Sequence, residues 1–201
     1  MRDVLAGYAE TADPALIDSY DTLDPELVYA SVLDLLPGAG ARVADIGAGT
    51  GRDAAWLVER GCTVLAVEPV RELREGGRRL HRSKSIEWLD DRLPDLAGMR
   101  ASGPFDAVIL CAVWHHLDAA DRALAMPNLA AAMAKGATLI LSLRHQPGAL
   151  DRGSFQVAPD ETIAAAGACG LTLRRRREAD SVSAESRALG VRWTWLVFEK
   201  P

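Results

Sequence analysis

The sequence predicts an α/β fold, a mostly parallel sheet covered by helices, and three observations lead to it. Short apolar segments alternate with helical ones, joined by brief turns. The apolar segments, such as ARVADI (41–46), are near-continuous runs, as strands buried on both faces are. Three glycines at alternate positions, Gly47, Gly49 and Gly51, separate the first of these strands from the helix that follows.

The elements read in order as follows. Asp24 can cap a helix that Pro25 begins, running over 25–36 and stopping at Pro37-Gly38. Strand 41–46, the glycine turn and helix 52–60 come next, the helix closed by Gly61, which tolerates a left-handed backbone. A strand over 62–68 leads to a weaker helix over 70–80, interrupted by Gly76-Gly77, and then to a strand over 85–89 that ends at Asp90-Asp91. The most apolar strand covers 105–113, followed by a helix over 118–134 that Pro127 should break. A fifth strand (136–143), a loop (144–158), a helix (160–170) and two strands (171–179 and 191–200) joined by a polar loop complete the chain. No repeat or low-complexity linker interrupts it, so one domain is expected over 1–201.

Composition limits the possible functions. The 201 residues are 49% hydrophobic and 25% charged, enough for a core and close to the globular norm. No apolar run nears the roughly 18 residues of a membrane span. The acidic N-terminus has no continuous apolar stretch of the kind a secretory signal carries. A net charge of −5 argues against a nucleic-acid partner, and the basic runs at 78–84 and 174–177 read as solvated faces. Cys62, Cys111 and Cys169 are too scattered for a metal pair or a disulfide framework, which suits the cytoplasm. His115 and His116 are adjacent and therefore point in different directions, so no shared metal is expected. Monomer and homodimer both remain open.

The stretch with chemical content is VADIGAGTGRDAA (43–55). Glycines at a strand-to-helix crossing let the backbone turn with positive φ and approach a ligand, and amides at the helix start can donate to it. In an open parallel sheet this crossing lies where ligands bind, beyond the carboxyl ends of the strands. Glu68 closes the next strand 21 residues past Gly47, where a carboxylate can accept from both ribose hydroxyls of an adenosine ligand. A dinucleotide fingerprint, G-x-G-x-x-G, would place its third glycine where Arg52 stands. The early Gly51 and the preceding Asp45 therefore favour S-adenosylmethionine over NAD, and an NAD-dependent oxidoreductase stays as the alternative.

DIGAGTGRDA resembles the first motif of the class I S-adenosylmethionine-dependent methyltransferases. The resemblance continues through AVEP (66–69), WLDDRLPDL (88–96), FDAVILCAVWHHL (105–117) and KGATLILSLRH (135–145). It implies a three-layer sandwich with a seven-stranded sheet in the order 3-2-1-4-5-7-6, strand 7 antiparallel. Residues 171–179 then form an edge whose arginines block strand addition.

The resemblance also implies site roles. Gly47, Ala48, Gly49, Thr50 and Arg52 belong to the loop against the methionine and ribose, with Asp45 ordering it and reaching the methionine amino group through water. Glu68 binds the ribose hydroxyls, and Pro69 lies beside the adenine. Asp90 or Asp91 accepts from the adenine amine, Asp90 being preferred as the nearer to the strand end. The backbone at Cys111 holds the methionine amino group, while Val113 and His116 line the outer wall.

Methyl transfer needs alignment above all, and a base only where the acceptor must lose a proton. His115, His116 and His145 are the candidate bases, with His145 preferred because it follows the fifth strand beside Arg144, which is suited to pair with an anionic acceptor. In this family acceptor specificity comes from the N-terminal segment, here 1–24 as a possible lid, and from the regions 114–121 and 144–158. Tyr8, Tyr20 and Phe155 are placed either to close over the site or to pack. A small-molecule acceptor, methylated on O or N with S-adenosylhomocysteine as product, is the first expectation, and a non-catalytic S-adenosylmethionine-binding relative is the third.

Overall fold

A computed structural model describes residues 2–145 and 153–201. The chain begins with α1 (Arg2–Thr11), α2 (Pro14–Asp21) and the single turn α3 (Pro25–Val28), followed by a 3-10 turn at Leu33–Leu35. Then come β1 (Arg42–Ile46), α4 (Arg52–Glu59), β2 (Thr63–Val67), α5 (Arg71–Leu80), β3 (Ile86–Leu89) and α6 (Ala97–Ser102). After β4 (Phe105–Leu110) and a 3-10 turn at Trp114–His116 stand α7 (Ala119–Ala132) and β5 (Met133–His145). The chain finishes with α8 (Pro159–Ala168), β6 (Thr172–Asp180), α9 (Ala184–Ala188) and β7 (Arg192–Glu199). No helix among the described residues is long and apolar enough to cross a membrane.

The seven strands form one sheet in the order β3-β2-β1-β4-β5-β7-β6, with β7 antiparallel to both neighbours, as the family resemblance implied. Strand alternation divides the core. Ala44, Ile46, Leu65, Val108 and Leu139 pack on one face under Met99, Met126 and Ala166 of α6, α7 and α8. Val43, Val64, Ile109 and Ile140 pack on the other, under Tyr29, Ala54 and Leu57. At the edge, Arg175 and Arg176 of β6 pair with Asp34 and Asp160, so the exposed strand carries charge where another strand would add.

Four local readings change. Asp24 does cap α3, accepting from Glu26 N–H at 2.9 Å, but the helix ends at Val28 and does not run to residue 36. The fully buried Tyr29 and Val32 are fixed against the sheet, and this tertiary packing overrides the local preference. Helix α7 passes through Pro127 without a break. Pro127 and Ala123, whose carbonyl loses its helical donor, both lie on the exposed side where water can compensate, while Met126 and Leu129 hold the helix to the core. Gly76 and Gly77 are contact points more than weak points. A Cβ on Gly76 would sit 2.9 Å from Ile17, and one on Gly77 would sit 2.5 Å from the Thr50 carbonyl oxygen. These glycines let α2 and the β1–α4 crossing press against α5. The connection between β6 and β7, read as a plain polar loop, contains α9, capped by Ser183.

Candidate active site

A cleft of about 900 Å³ opens at the carboxyl ends of the parallel strands. The glycine crossing forms its floor. Gly47, Gly49 and Gly51 all adopt positive φ, at 69°, 57° and 80°. Gly47 meets the wall opposite: a Cβ there would stand 2.5 Å from Val113 Cγ2. Above Gly49, by contrast, an added Cβ meets nothing within 4 Å, so the backbone there faces open space.

Glu68 stands at the mouth of this crossing, 4% exposed. Its Oε2 accepts from Gly49 N–H and its Oε1 from Val70 N–H, both at 2.8 Å. Burial raises the carboxyl to about 7 even though both amides favour the charged form. Arg74 of α5 fixes the same strand end, donating to the Glu68 carbonyl at 2.6 Å.

Behind the crossing lies a buried polar group. Asp53 accepts from the Tyr29 hydroxyl at 2.8 Å and from Arg52 Nε at 2.7 Å. Asp45, 2% exposed, accepts from Ala54 N–H, yet its Oδ2 has no partner among the described residues. Burial first and then Asp53 push Asp45 well above the usual carboxylate range. The same two causes push the Cys111 thiol up to about 12, so it stays neutral.

The cleft gathers most residues singled out from the sequence. Asp45, Gly47, Ala48, Gly49, Thr50 and Arg52 line it from the crossing, and Glu68, Pro69 and Asp91 from the β2 and β3 ends. Cys111, Val113, His116 and Arg144 line it from the β4 and β5 ends. Tyr8 and Tyr20 line it from the N-terminal helices, and Tyr8 OH lies 3.1 Å from His116 Nε2.

Two of the preferred residues do not line the cleft. Asp90 is not on the cleft: Arg74 Nη2 holds its carboxylate at 2.9 Å, turned outward and 68% exposed. Asp91 takes the inward place, although its oxygens accept from Arg92 and Met99 N–H at 2.8 and 2.9 Å. His145 is also directed elsewhere. Ser142 and Arg144 line the cleft along β5, whereas His145 turns away from it, against the Thr194 hydroxyl at 2.7 Å and into a second cavity of about 350 Å³ whose wall Arg144 and His115 share with the cleft. Phe155 lines that second cavity too and does not close over the main cleft. Of the expected specificity loop, residues 146–152 lie outside the described residues.

Two further contributors to the cleft carry no motif in the sequence. Trp193 and Trp195 line the cleft from β7, and their i, i+2 spacing on a strand was the available signal. Residues of the β6–β7 connection, Ser181 and Ser183 among them, cover it from above, for which no local pattern exists.

A family model described as a methyltransferase domain matches residues 20–199. The chain belongs to the class I S-adenosylmethionine-dependent methyltransferases. Among the sequence relatives of this chain is an uncharacterized methyltransferase of Mycobacterium tuberculosis, 32% identical over 124 residues, covering 61% of this chain and 48% of that protein. The chain thus spans about half the length of the first curated relatives it matches. The fold is shared with magnesium protoporphyrin IX methyltransferase from Synechocystis, solved with bound S-adenosylmethionine, at a TM-score of 0.68 and 18% identity over 100% of this chain and 83% of that one. It is shared equally with 1,6-didemethyltoxoflavin-N1-methyltransferase from Burkholderia thailandensis, at a TM-score of 0.69 and 18% identity over 86% and 76% of the two chains.

Proposed function

We propose that this protein transfers the methyl group of S-adenosylmethionine to an oxygen or nitrogen of a small-molecule acceptor and releases S-adenosylhomocysteine. The observation that carries the reading is the Glu68 carboxylate, buried at the mouth of the glycine crossing and held by backbone amides at 2.8 Å. A carboxylate so placed can accept two vicinal hydroxyls, which is what a ribose presents. Two further features fit the cofactor: open space above Gly49, and the orphaned Asp45 Oδ2, a buried acceptor that suits a cationic amino group directly or through water.

On this reading Glu68 holds the ribose, Pro69 borders the adenine, and Asp91 in place of Asp90 lies nearest the adenine amine. Gly47, Ala48, Gly49 and Thr50 follow the methionine portion, with Cys111 and Val113 opposite. Arg52 stays in its pair with Asp53 and orders the loop from behind. When bound, the cofactor supplies an electrophilic methyl group on a cationic sulfur. The protein's own contribution is alignment and exclusion of water, and alignment can account for up to about 7–11 kcal/mol. His116 donates from Nδ1 to the Gly153 carbonyl at 3.0 Å and meets Tyr8 OH through Nε2 at 3.1 Å, so a proton passing from an acceptor to this ring goes by way of the Tyr8 hydroxyl.

A small acceptor is supported by the covering of the cleft from two directions, by α1 and α2 and by the β6–β7 connection. The net charge of −5 is unsuited to a phosphate backbone. The two structural neighbours named above are themselves named for small-molecule acceptors. A cytoplasmic setting agrees with three free cysteines.

Parallel titrations with S-adenosylhomocysteine and NAD, followed by transfer assays with labelled S-adenosylmethionine, test the reading. Binding of the homocysteine compound alone, with label passing to a small acceptor, is expected. Binding of NAD instead points to an oxidoreductase. Cofactor binding without any transfer points to a non-catalytic relative.

A further inference from the structure

We propose that the acceptor is a planar aromatic carboxylate, its acid group held by Arg144 and His115 beside the Trp193 indole at the β5 end of the cleft. The inference rests on the methyltransferase reading and adds the chemistry of its second substrate.

Glu68 follows directly on β2 and Arg144 lies near the end of β5, three strands away in the order β2-β1-β4-β5. At about 4.8 Å per strand, that separates the two by roughly 14 Å across the strand ends. A ligand whose ribose lies at Glu68 and whose amino-acid end lies at the β1 and β4 ends leaves the β5 and β7 ends for the acceptor.

The chemistry there is distinct. Asp45, Asp53, Glu68 and Asp91, with Arg92 among them, line the cleft from the β1–β3 side. Asp180, from the end of β6, is paired with Arg192 at 3.6 Å, and Glu185 sits on α9 at the rim. Arg52, the cation of the crossing, is committed to Asp53. Arg144 has no carboxylate partner among the described residues, and its Nε is buried with no hydrogen bond. His115 is 3% exposed, lines the same cleft, and leaves its Nδ1 without a partner. A buried guanidinium Nε and a buried imidazole Nδ1, neither with a partner and both against Trp193, form an incomplete site, because each carries a desolvation cost that a ligand oxygen would remove when Nδ1 carries the ring proton.

Both groups flank one surface. The Arg144 guanidinium lies over the Trp193 ring at 5.8 Å, and the His115 ring meets the same indole edge-on, also at 5.8 Å. An indole with a single guanidinium over it suits a singly charged planar acid better than a dianionic phosphate. Burial, His116 and Arg144 together hold the His115 imidazole at about 3, so it meets the ligand as a neutral ring able to donate from Nδ1.

The test uses the full chain saturated with S-adenosylhomocysteine. Calorimetry measures binding of 4-hydroxybenzoate, indole-3-acetate and 3-hydroxy-2-naphthoate, each against its primary amide. At least one acid should bind about tenfold or more tightly than its amide, as loss of a charge-assisted pair implies. Arg144→Met should abolish the preference while S-adenosylhomocysteine binding is retained, and Arg144→Lys should keep part of it. Failure of every acid to bind, equal binding of acid and amide, or a preference that survives Arg144→Met overturns the proposal. Should Arg144→Met not fold, the acid–amide comparison on the unmodified protein and the Lys variant decide. If the unmodified protein does not bind S-adenosylhomocysteine, the methyltransferase reading itself fails and takes this proposal with it; cofactor binding without acid preference defeats this proposal alone.

Discussion

The Glu68 carboxylate, just beyond β2, accepts the backbone N–H of Gly49 at 2.8 Å and so ties one strand end to the glycine crossing of its neighbour β1. Its second oxygen takes Val70 N–H, and the whole group is buried. The acid and the backbone cradle are therefore held in register before any nucleoside arrives, which lowers the ordering cost of binding.

Removing that acid should weaken cofactor binding. Glu68→Ala is expected to lower the affinity for S-adenosylhomocysteine by on the order of 1–3 kcal/mol, the loss of hydrogen bonds to a charged acceptor. Isothermal calorimetry measures this directly, and unchanged affinity would remove Glu68 from the ribose site.

The same group gives binding a pH dependence. With the carboxyl at about 7, most of the protein carries it protonated at pH 6 and ionised at pH 8. Because the ionised form accepts both hydroxyls, affinity should rise by about tenfold across that interval. In the ligand-free protein the stability effect runs the other way. The folded value lies above the ordinary 4.5, so Glu68's contribution is fully present below that range and is lost as pH rises through about 7. Thermal melts with and without ligand from pH 5 to 8 would separate the two trends.

Gly47 tests the crossing itself. Its φ of +69° disfavours any side chain, and a Cβ would stand 2.5 Å from Val113 Cγ2. Gly47→Ala should cost about 1–3 kcal/mol of stability. Adding Val113→Ala should recover only the steric part, leaving the backbone strain, and the two melting temperatures report the split.

Behind the crossing, Tyr29→Phe keeps the ring against Trp56 and Trp195 but deletes the hydroxyl that Asp53 accepts at 2.8 Å. A loss of about 1–3 kcal/mol in chemical denaturation is expected, since a buried carboxylate loses a donor. A neutral result would mean that Arg52 alone satisfies Asp53.

What the sequence revealed and what it hid divide along a physical line. The alternation of strands and helices, the crossing and the placing of Glu68 beside it follow from local patterns, namely apolar strand runs, alternate glycines and an acid closing the next strand, whereas the sheet order follows only from the family resemblance. Asp90 and Asp91 were indistinguishable locally, because Arg74, 16 residues away, decides which turns outward. The preference for His145 neglected strand alternation, which places Arg144 and not its neighbour in the cleft. Gly76 and Gly77 looked like flaws in a helix until their partners, Ile17 and Thr50, were in view. Arrival of the β6–β7 connection over the cleft depends on sheet position alone, which no single segment encodes.

A crystal structure of the protein with S-adenosylhomocysteine tests the central claim most directly. The account predicts the nucleoside lying over Gly49, with both ribose hydroxyls within hydrogen-bond reach of the Glu68 carboxylate. A nucleoside seated elsewhere, with Glu68 still bound only to Gly49 and Val70, would contradict it.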